Sequence, residues 1–267
     1  HRYIATVPGR GYQFVAKVRI VDESPWQREP TAGASMAVLP FVNVSADPEF
    51  DFFGDGLADE LIIALSKVHS VRVVARTSAF SFKGTQADIR RIADTLGVNF
   101  VLEGTVRKSG TRLRVTAELI DAADGCQVWS DRYDRELEMR DLFEVQDELT
   151  RAVLNAITPN LPKSQRGAVV NQATRNAAAH ELYLKGRFHL FRMTQSGIEA
   201  GVEYFERAVA ADPTYALAYV GLAHAYRMHA LSLELPPSEI GPKAQAAALK
   251  AVALDNTLAE AHAVLAF

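Results

Sequence analysis

One eleven-residue phrase occurs twice near the end of the chain, and it restricts the last third to stacked helices. Residues 208–218 read Ala-Val-Ala-Ala-Asp-Pro-Thr-Tyr-Ala-Leu-Ala, and residues 251–261 read Ala-Val-Ala-Leu-Asp-Asn-Thr-Leu-Ala-Glu-Ala. A unit that recurs at fixed spacing cannot bury its apolar face alone and does so against its neighbours. Small alanines let paired helices touch, and Asp212 and Asp255 sit at the turns. Tyr204, Phe205, Tyr219 and Leu222 are the large residues expected between the helices.

The two aspartates are 43 residues apart, longer than the roughly 34 of a tetratricopeptide unit. The excess is assigned to residues 231–239, where Pro236 and Pro237 mark an inserted loop. From residue 177 to 267 the chain is similar to tetratricopeptide-like repeats, with residues 181–187 as the first helix of a preceding repeat. The resemblance implies a concave surface for a protein or peptide segment or a small effector. The array stops inside a helix at Phe267 and reads as truncated.

Between residues 36 and 160 the pattern is mixed. Residues 36–41 make a short apolar strand, and residues 43–53 form a loop. Asp55, between Gly54 and Gly56, is the expected N-cap of a helix carrying Leu57, Leu61, Ala64, Leu65 and Val68 on one face. A strand over 71–75 and a helix over 88–96 follow, the helix stopped by Gly97. Strands over 100–107 and 112–120 are joined by residues 108–111. In the second, Leu113, Val115, Ala117 and Leu119 alternate with Arg112, Arg114, Thr116 and Glu118, the period of a sheet with one wet face. Asp121 and Asp124 turn the chain into a strand over 126–133, where Cys126 is expected to be buried and inert. A long helix with Leu142, Val145, Leu149, Val153 and Ile157 is ended by Pro159 and Pro162.

This β-α-β-α-β-β-β-α order predicts an α/β sandwich on a small mixed sheet. The phrases at residues 37–41 (Ala-Val-Leu-Pro-Phe), 53–61 (Phe-Gly-Asp-Gly-Leu-Ala-Asp-Glu-Leu), 101–106 (Val-Leu-Glu-Gly-Thr-Val) and 119–122 (Leu-Ile-Asp-Ala) carry a resemblance. They resemble the domain shared by the amino-terminal part of the Tol-system protein TolB and the flagellar protein FlgO. That domain recurs in bacterial regulators and cyclases, upstream of helical repeats.

At the other end, residues 3–7 and 12–16 alternate in polarity and flank Pro8-Gly9-Arg10-Gly11, which predicts a tight hairpin with an arginine at its tip. A lone two-stranded hairpin is marginal in water, so the chain reads as a fragment beginning inside a domain. Residues 1–18 are similar, nearly residue for residue, to the C-terminal wing of OmpR/PhoB-type winged-helix DNA-binding domains. The resemblance implies an upstream base-reading helix and wing contacts to DNA: Arg10 in the minor groove or on a phosphate, Arg2 on the backbone, and Thr6 with them. Tyr3, Tyr12 and Phe14 would pack against that domain's helices. Residues 1–20 hold Arg2, Arg10, Lys17 and Arg19 and no acid. The same charges also suit an exposed strand edge guarding itself against aggregation. Residues 19–35 are a polar linker.

The remaining features exclude more than they assign. A net charge of −3 rules out a general polyanion binder. No apolar run approaches the ~18 residues of a membrane span, and no signal peptide is visible. The single cysteine excludes an internal disulfide and a cysteine-rich zinc site, and is compatible with a reducing compartment. His180, His189, His224, His229 and His262 are scattered over the repeats and read as surface or packing residues. Asp55, Asp59 and Glu60 read as acids offsetting a helix dipole. Gly9-Arg10-Gly11 is too short for a nucleotide fingerprint. No catalytic residue, metal or cofactor is expected.

The reading is an α+β multidomain protein, comprising wing, α/β sandwich and repeat array, that acts as a cytoplasmic bacterial transcriptional regulator. DNA is the expected partner of the winged helix, and an effector or protein partner that of the other domains; a dimer on DNA is compatible with it. Two other classes stay open: the regulatory half of a class III nucleotide cyclase, and a repeat-based scaffold. The wing phrase argues against the cyclase, whose catalytic domain does not end this way.

Overall fold

The computed structural model describes residues 4–7, 11–14, 34–68, 70–136, 139–157, 174, 176–231 and 237–266. The chain divides into two units, residues 1–33 and 34–267. In the first, strands β1 (Ile4–Val7) and β2 (Gly11–Phe14) pair antiparallel, with Ile4 opposite Phe14 and Val7 opposite Gly11. The expected linker over 19–35 lies almost wholly outside the described residues.

The second unit is built on a mixed sheet. Its strands are β3 (Ala34–Val38), β4 (Val42–Asn43), β5 (Val71–Val73), β6 (Phe100–Ser109), β7 (Arg112–Asp121) and β8 (Gln127–Glu136). They run in the order β5-β3-β6-β7-β8, with β4 also on β6. The β3 strand is parallel to β5 and β6, while β6, β7 and β8 are antiparallel. Helices α1 (Asp51–Ser66), α2 (Arg76–Phe80), α3 (Ile89–Leu96) and α4 (Met139–Ile157) complete the α/β part. On one face, α1 and α4 share a core with Leu113, Val115, Ala117 and Leu119 of β7. The outward partners of these residues are exposed or half-buried, as the alternation requires. On the other face, Ile92 and Ala93 of α3 close over Ala37, Leu39 and Val101.

Helix α3 matches its sequence signals. Asp88 accepts a hydrogen bond from Arg90 N–H at 2.9 Å, and Gly97 ends the helix in the left-handed region at φ 64°. The turn between β6 and β7 is tighter than expected, since the strands extend to Ser109 and from Arg112 and leave Gly110 at φ 59°. The strand at Val71 is shorter than expected, ending at Val73.

Three expectations fail in the α/β part. The loop over 43–53 contains a strand end and a 3-10 turn (Pro48–Phe50) that runs directly into α1. Asp55 is therefore inside the helix, and Phe50 stands at the N-cap with no side-chain bond. Cys126 is exposed rather than buried, because β8 starts only at Gln127 and Cys126 belongs to the turn. Its amide donates to Asp124, whose charge also raises the thiol above its usual range.

Among the described residues five helices follow: α5 (Ala177–Leu190), α6 (Gln195–Ala211), α7 (Ala216–Leu231), α8 (Pro237–Leu254) and α9 (Ala259–Leu265). The duplicated phrase builds the same turn twice. Asp212 Oδ1 accepts from the amide and hydroxyl of Thr214 at 2.9 and 2.6 Å, and Asp255 Oδ1 from those of Thr257 at 2.9 and 2.7 Å. Pro237 opens a helix, where its missing N–H costs nothing, rather than ending a loop. Phe205 is fully buried, while Leu222 is buried and Tyr204 and Tyr219 are half-buried. Residues beyond Ile157, including Pro159 and Pro162, lie outside the described residues until Thr174, as does the side chain of Leu142.

The core runs without a break from β7 through α1 into α5 and α6. Backbone approach at Phe41 is what makes its first part possible. A Cβ on Gly54 would lie 2.4 Å from the Phe41 carbonyl oxygen, and one on Gly104 would lie 2.4 Å from the Phe41 ring. Gly54→Ala is therefore expected to lower stability by about 1–3 kcal/mol. In α8, by contrast, a Cβ on Gly241 meets nothing within 4 Å, and Gly241→Ala should stabilise by up to about 1 kcal/mol. Urea unfolding of the two variants beside the parent checks both signs.

Candidate functional site

Of the residues the sequence singled out for DNA, only Thr6 is among those described: it lies in β1, opposite Tyr12. Arg2 and Arg10 lie outside the described residues. Among the described residues, no group of three or more His, Cys, Asp and Glu side chains is placed to hold a metal ion. No helix of them is long and apolar enough to cross a membrane.

The most unusual chemistry lies where α1 meets α2 and α5. Asp55 and Asp59 are one helical turn apart on α1, both buried on a helix whose other inward residues are apolar. Neither sits at the helix N-terminus, so the dipole does not account for them. Their partners come from other elements. Arg187 Nη2 of α5 reaches Asp59 Oδ2 at 2.5 Å, and Arg76 Nε of α2 lies 3.5 Å from Asp59 Oδ1. Lys83 donates to both Asp55 oxygens at 2.6 Å. Next to them, His180 Nε2 and Glu60 Oε1 are 2.7 Å apart.

Helix α5 supplies its half of this junction from one face, since His180, Tyr183, Leu184 and Arg187 recur at i, i+3, i+4 and i+7. Leu184 closes onto Gly56, where a Cβ would come within 2.8 Å of it. Arg187 Nη1 donates to the Tyr183 hydroxyl at 2.9 Å. The Arg76 guanidinium lies between two rings, 3.8 Å from the Phe80 centroid and 3.6 Å from that of Phe191. A weakly hydrated planar cation tolerates that position where an ammonium would not.

Burial and charge pull in opposite directions here. Burial pushes the Asp55 and Asp59 carboxyls up, against Lys83 at the first and Arg187 and Arg76 at the second. Burial also pushes Arg76 down to about 10, so it stays charged at neutral pH. Glu60 ends on the other side: burial opposes its charge, but His180 and Arg187 outweigh that and hold it below the usual glutamate range. The junction is a set of mutually neutralising groups, and its chemical capacity is to hold α5 on α1 in one arrangement.

The sequence reading missed this junction. The available signal was three acids within six residues of a largely apolar helix, Asp55, Asp59 and Glu60, with no base on that helix. His180 is a packing residue, as expected of the histidines, but a buried one with a carboxylate partner.

Residues 32–152 match the second domain of HilA/YgeH-like transcriptional regulators. The chain is also 38% identical over 192 residues to a Rhizobium meliloti (strain 1021) protein that carries the name of an adenylate cyclase, number 3 of that strain. That match covers 72% of this chain and 32% of the relative, so the chain spans about a third of the protein it resembles. Among solved structures, TolB from Acinetobacter baumannii matches at 13% identity and a TM-score of 0.35, over 49% of this chain and 29% of that one. The lipoprotein GNA1162 from Neisseria meningitidis matches at 20% identity and a TM-score of 0.34, over 48% and 99%. PelC from Paraburkholderia phytofirmans matches at 24% and 0.33, over 47% and 89%.

Removing one partner from a buried ionic group leaves the others uncompensated. Asp59→Ala, which strands Arg187 and Arg76, is expected to cost about 3–5 kcal/mol in urea unfolding at pH 7. Glu60 adds a pH signature. A carboxyl held below its unfolded value contributes stability above that value, about 4.3 for glutamate, and loses it as pH falls through the folded one. Glu60→Gln should therefore be less stable than the parent at pH 7, with the gap closing below about pH 4.

Proposed function

We propose that this chain is the wing and sensory part of a bacterial DNA-binding transcriptional regulator. The observation that carries the reading is the match of residues 32–152 to the second domain of HilA/YgeH-like transcriptional regulators, in a chain that earlier carries a β-hairpin whose sequence resembles an OmpR/PhoB-type wing. In this reading a recognition helix upstream reads the major groove, and Arg10, Arg2 and Thr6 of the wing steady it on the backbone or in the minor groove. The α/β part and the tetratricopeptide-like helices that follow receive an effector or protein partner. The work is that of a soluble cytoplasmic protein without catalysis of its own.

The junction of Asp59, Glu60, His180 and Arg187 supports one detail of this reading. A buried ionic network joining α1 to α5 makes the α/β part and the first helices respond together rather than as beads on a string. A second reading rests on the 38% identity to the adenylate cyclase relative: the same α/β-plus-helix segment would then be the regulatory half of a signalling enzyme.

Fluorescence anisotropy of the intact gene product on its own promoter DNA, across a salt series, separates the two. Affinity should prefer that sequence and fall with salt, and Arg10→Ala should weaken binding and reduce the salt slope by about one. No affinity for DNA at low salt overturns the regulator. Turnover of ATP by that same protein then favours the cyclase.

A further inference from the structure

The face of the sheet that α3 leaves uncovered carries an arginine cluster that the regulator reading does not use. Cross-strand register places Arg107 of β6 directly opposite Arg114 of β7, and Arg114 opposite Asp134 of β8. Such partners project to the same face. The adjoining rows are Ser109, Arg112 and Glu136 on one side and Thr105, Thr116 and Arg132 on the other. Like charges set directly opposite each other on a sheet cost stability, and one carboxylate has to serve several cations here. Asp134 binds Arg114 through two oxygens at 2.6 and 3.3 Å and lies 3.4 Å from Arg132. Among the described residues Arg107 has no carboxylate partner.

This end of the sheet forms a cleft of about 500 Å³. The charged side chains on its face are Arg107, Arg112 and Arg114 against Asp134 and Glu136. Arg135 also lines it but alternates to the other face, where it pairs with Glu148 of α4 at 2.6 Å. Three guanidinium groups facing two carboxylates leave an excess of positive charge in a space of small-ligand size. Guanidinium forks match the oxygens of phosphate two at a time.

We propose that this cleft binds a compact phosphate-bearing anion, either free phosphate or a small phosphomonoester. A long polyanion fits less well. Further along the same face Glu103 stands opposite Glu118, so a rod of phosphates laid along the strands would leave the arginines and run over paired acids. Burial and then Glu118 raise the Glu103 carboxyl, in keeping with a patch that already repels negative charge. The site stands on the geometry of the sheet and holds whether or not the protein reads DNA.

The test is isothermal titration of the whole protein at low ionic strength with inorganic phosphate, with ribose 5-phosphate and with a 20-base-pair duplex. Arg107→Gln and Arg112→Gln are exposed substitutions that should leave thermal unfolding at or slightly above that of the parent, since the first relieves the repulsion with Arg114, so that any loss of binding is local. The expected result is saturable binding of at least one small anion, weakened about tenfold or more in each variant. Tighter binding of ribose 5-phosphate assigns the ligand to phosphomonoesters, and equal or tighter binding of phosphate assigns it to the free ion. No binding of either, binding that the variants leave unchanged, or stronger binding of the duplex through the same arginines overturns the proposal.

Discussion

Asp59 is the group around which this fold is arranged. A carboxylate that is 4% exposed on a helix that carries further acids and no base cannot remain charged at neutral pH without compensation from outside its own helix. Two cations answer it from different directions, Arg76 from the short α2 and Arg187 from α5. Each is then constrained in turn: Arg76 needs the Phe80 and Phe191 rings, and Arg187 needs Tyr183. These ion pairs act together with the apolar contacts of Tyr183 and Leu184 in placing α5 on α1. Replacing the set by well-packed apolar residues would often cost nothing in stability. What the ions add is a unique docking position, because an ion pair is satisfied in one register and an apolar contact in several.

The same helix shows how the sequence encodes close approach. Gly54 admits the Phe41 carbonyl on the sheet side, and Gly56 admits Leu184 on the α5 side. With Asp55 between them, the tripeptide looks locally like a turn and a cap. Glycines and an aspartate before an apolar run are what a helix start contains. Tertiary packing overrides that preference here: α1 runs through both glycines because a side chain at either position would push away the sheet or the next helix.

What was legible in the sequence is what is local. The alternation of Leu113 to Leu119, the Asp88 cap and Gly97 stop of α3, and the Asp-x-Thr turns at 212 and 255 are each written within a few residues. The junction is not local: His180 lies 120 positions from Glu60, and neither residue has a neighbour that announces the other. Cys126 fails for a related reason. Its run is apolar enough for a strand, but the Asp121 and Asp124 side chains hold the backbone in a turn up to Cys126 itself, so the strand begins one residue later. The arginine cluster was half visible, as the polar side of β7, but its density depends on a register that also brings in Arg107 and Asp134.

The sheet connects the two charged regions. Along β6 and β7, Arg107, Arg112 and Arg114 face outward, and the intervening Val106, Leu113 and Val115 are buried in the core that also holds Leu57, Leu61 and Leu184. An anion held between Arg107 and Arg114 would remove their mutual repulsion and tighten the pairing of exactly those strand segments that support α1. Tightening there bears on the floor against which α1 presents Asp59 and Glu60 to α5. The link needs no dedicated pathway of side chains. It would run through the strands themselves, which by period-two alternation carry the arginines on one face and the core residues Val106, Leu113 and Val115 on the other.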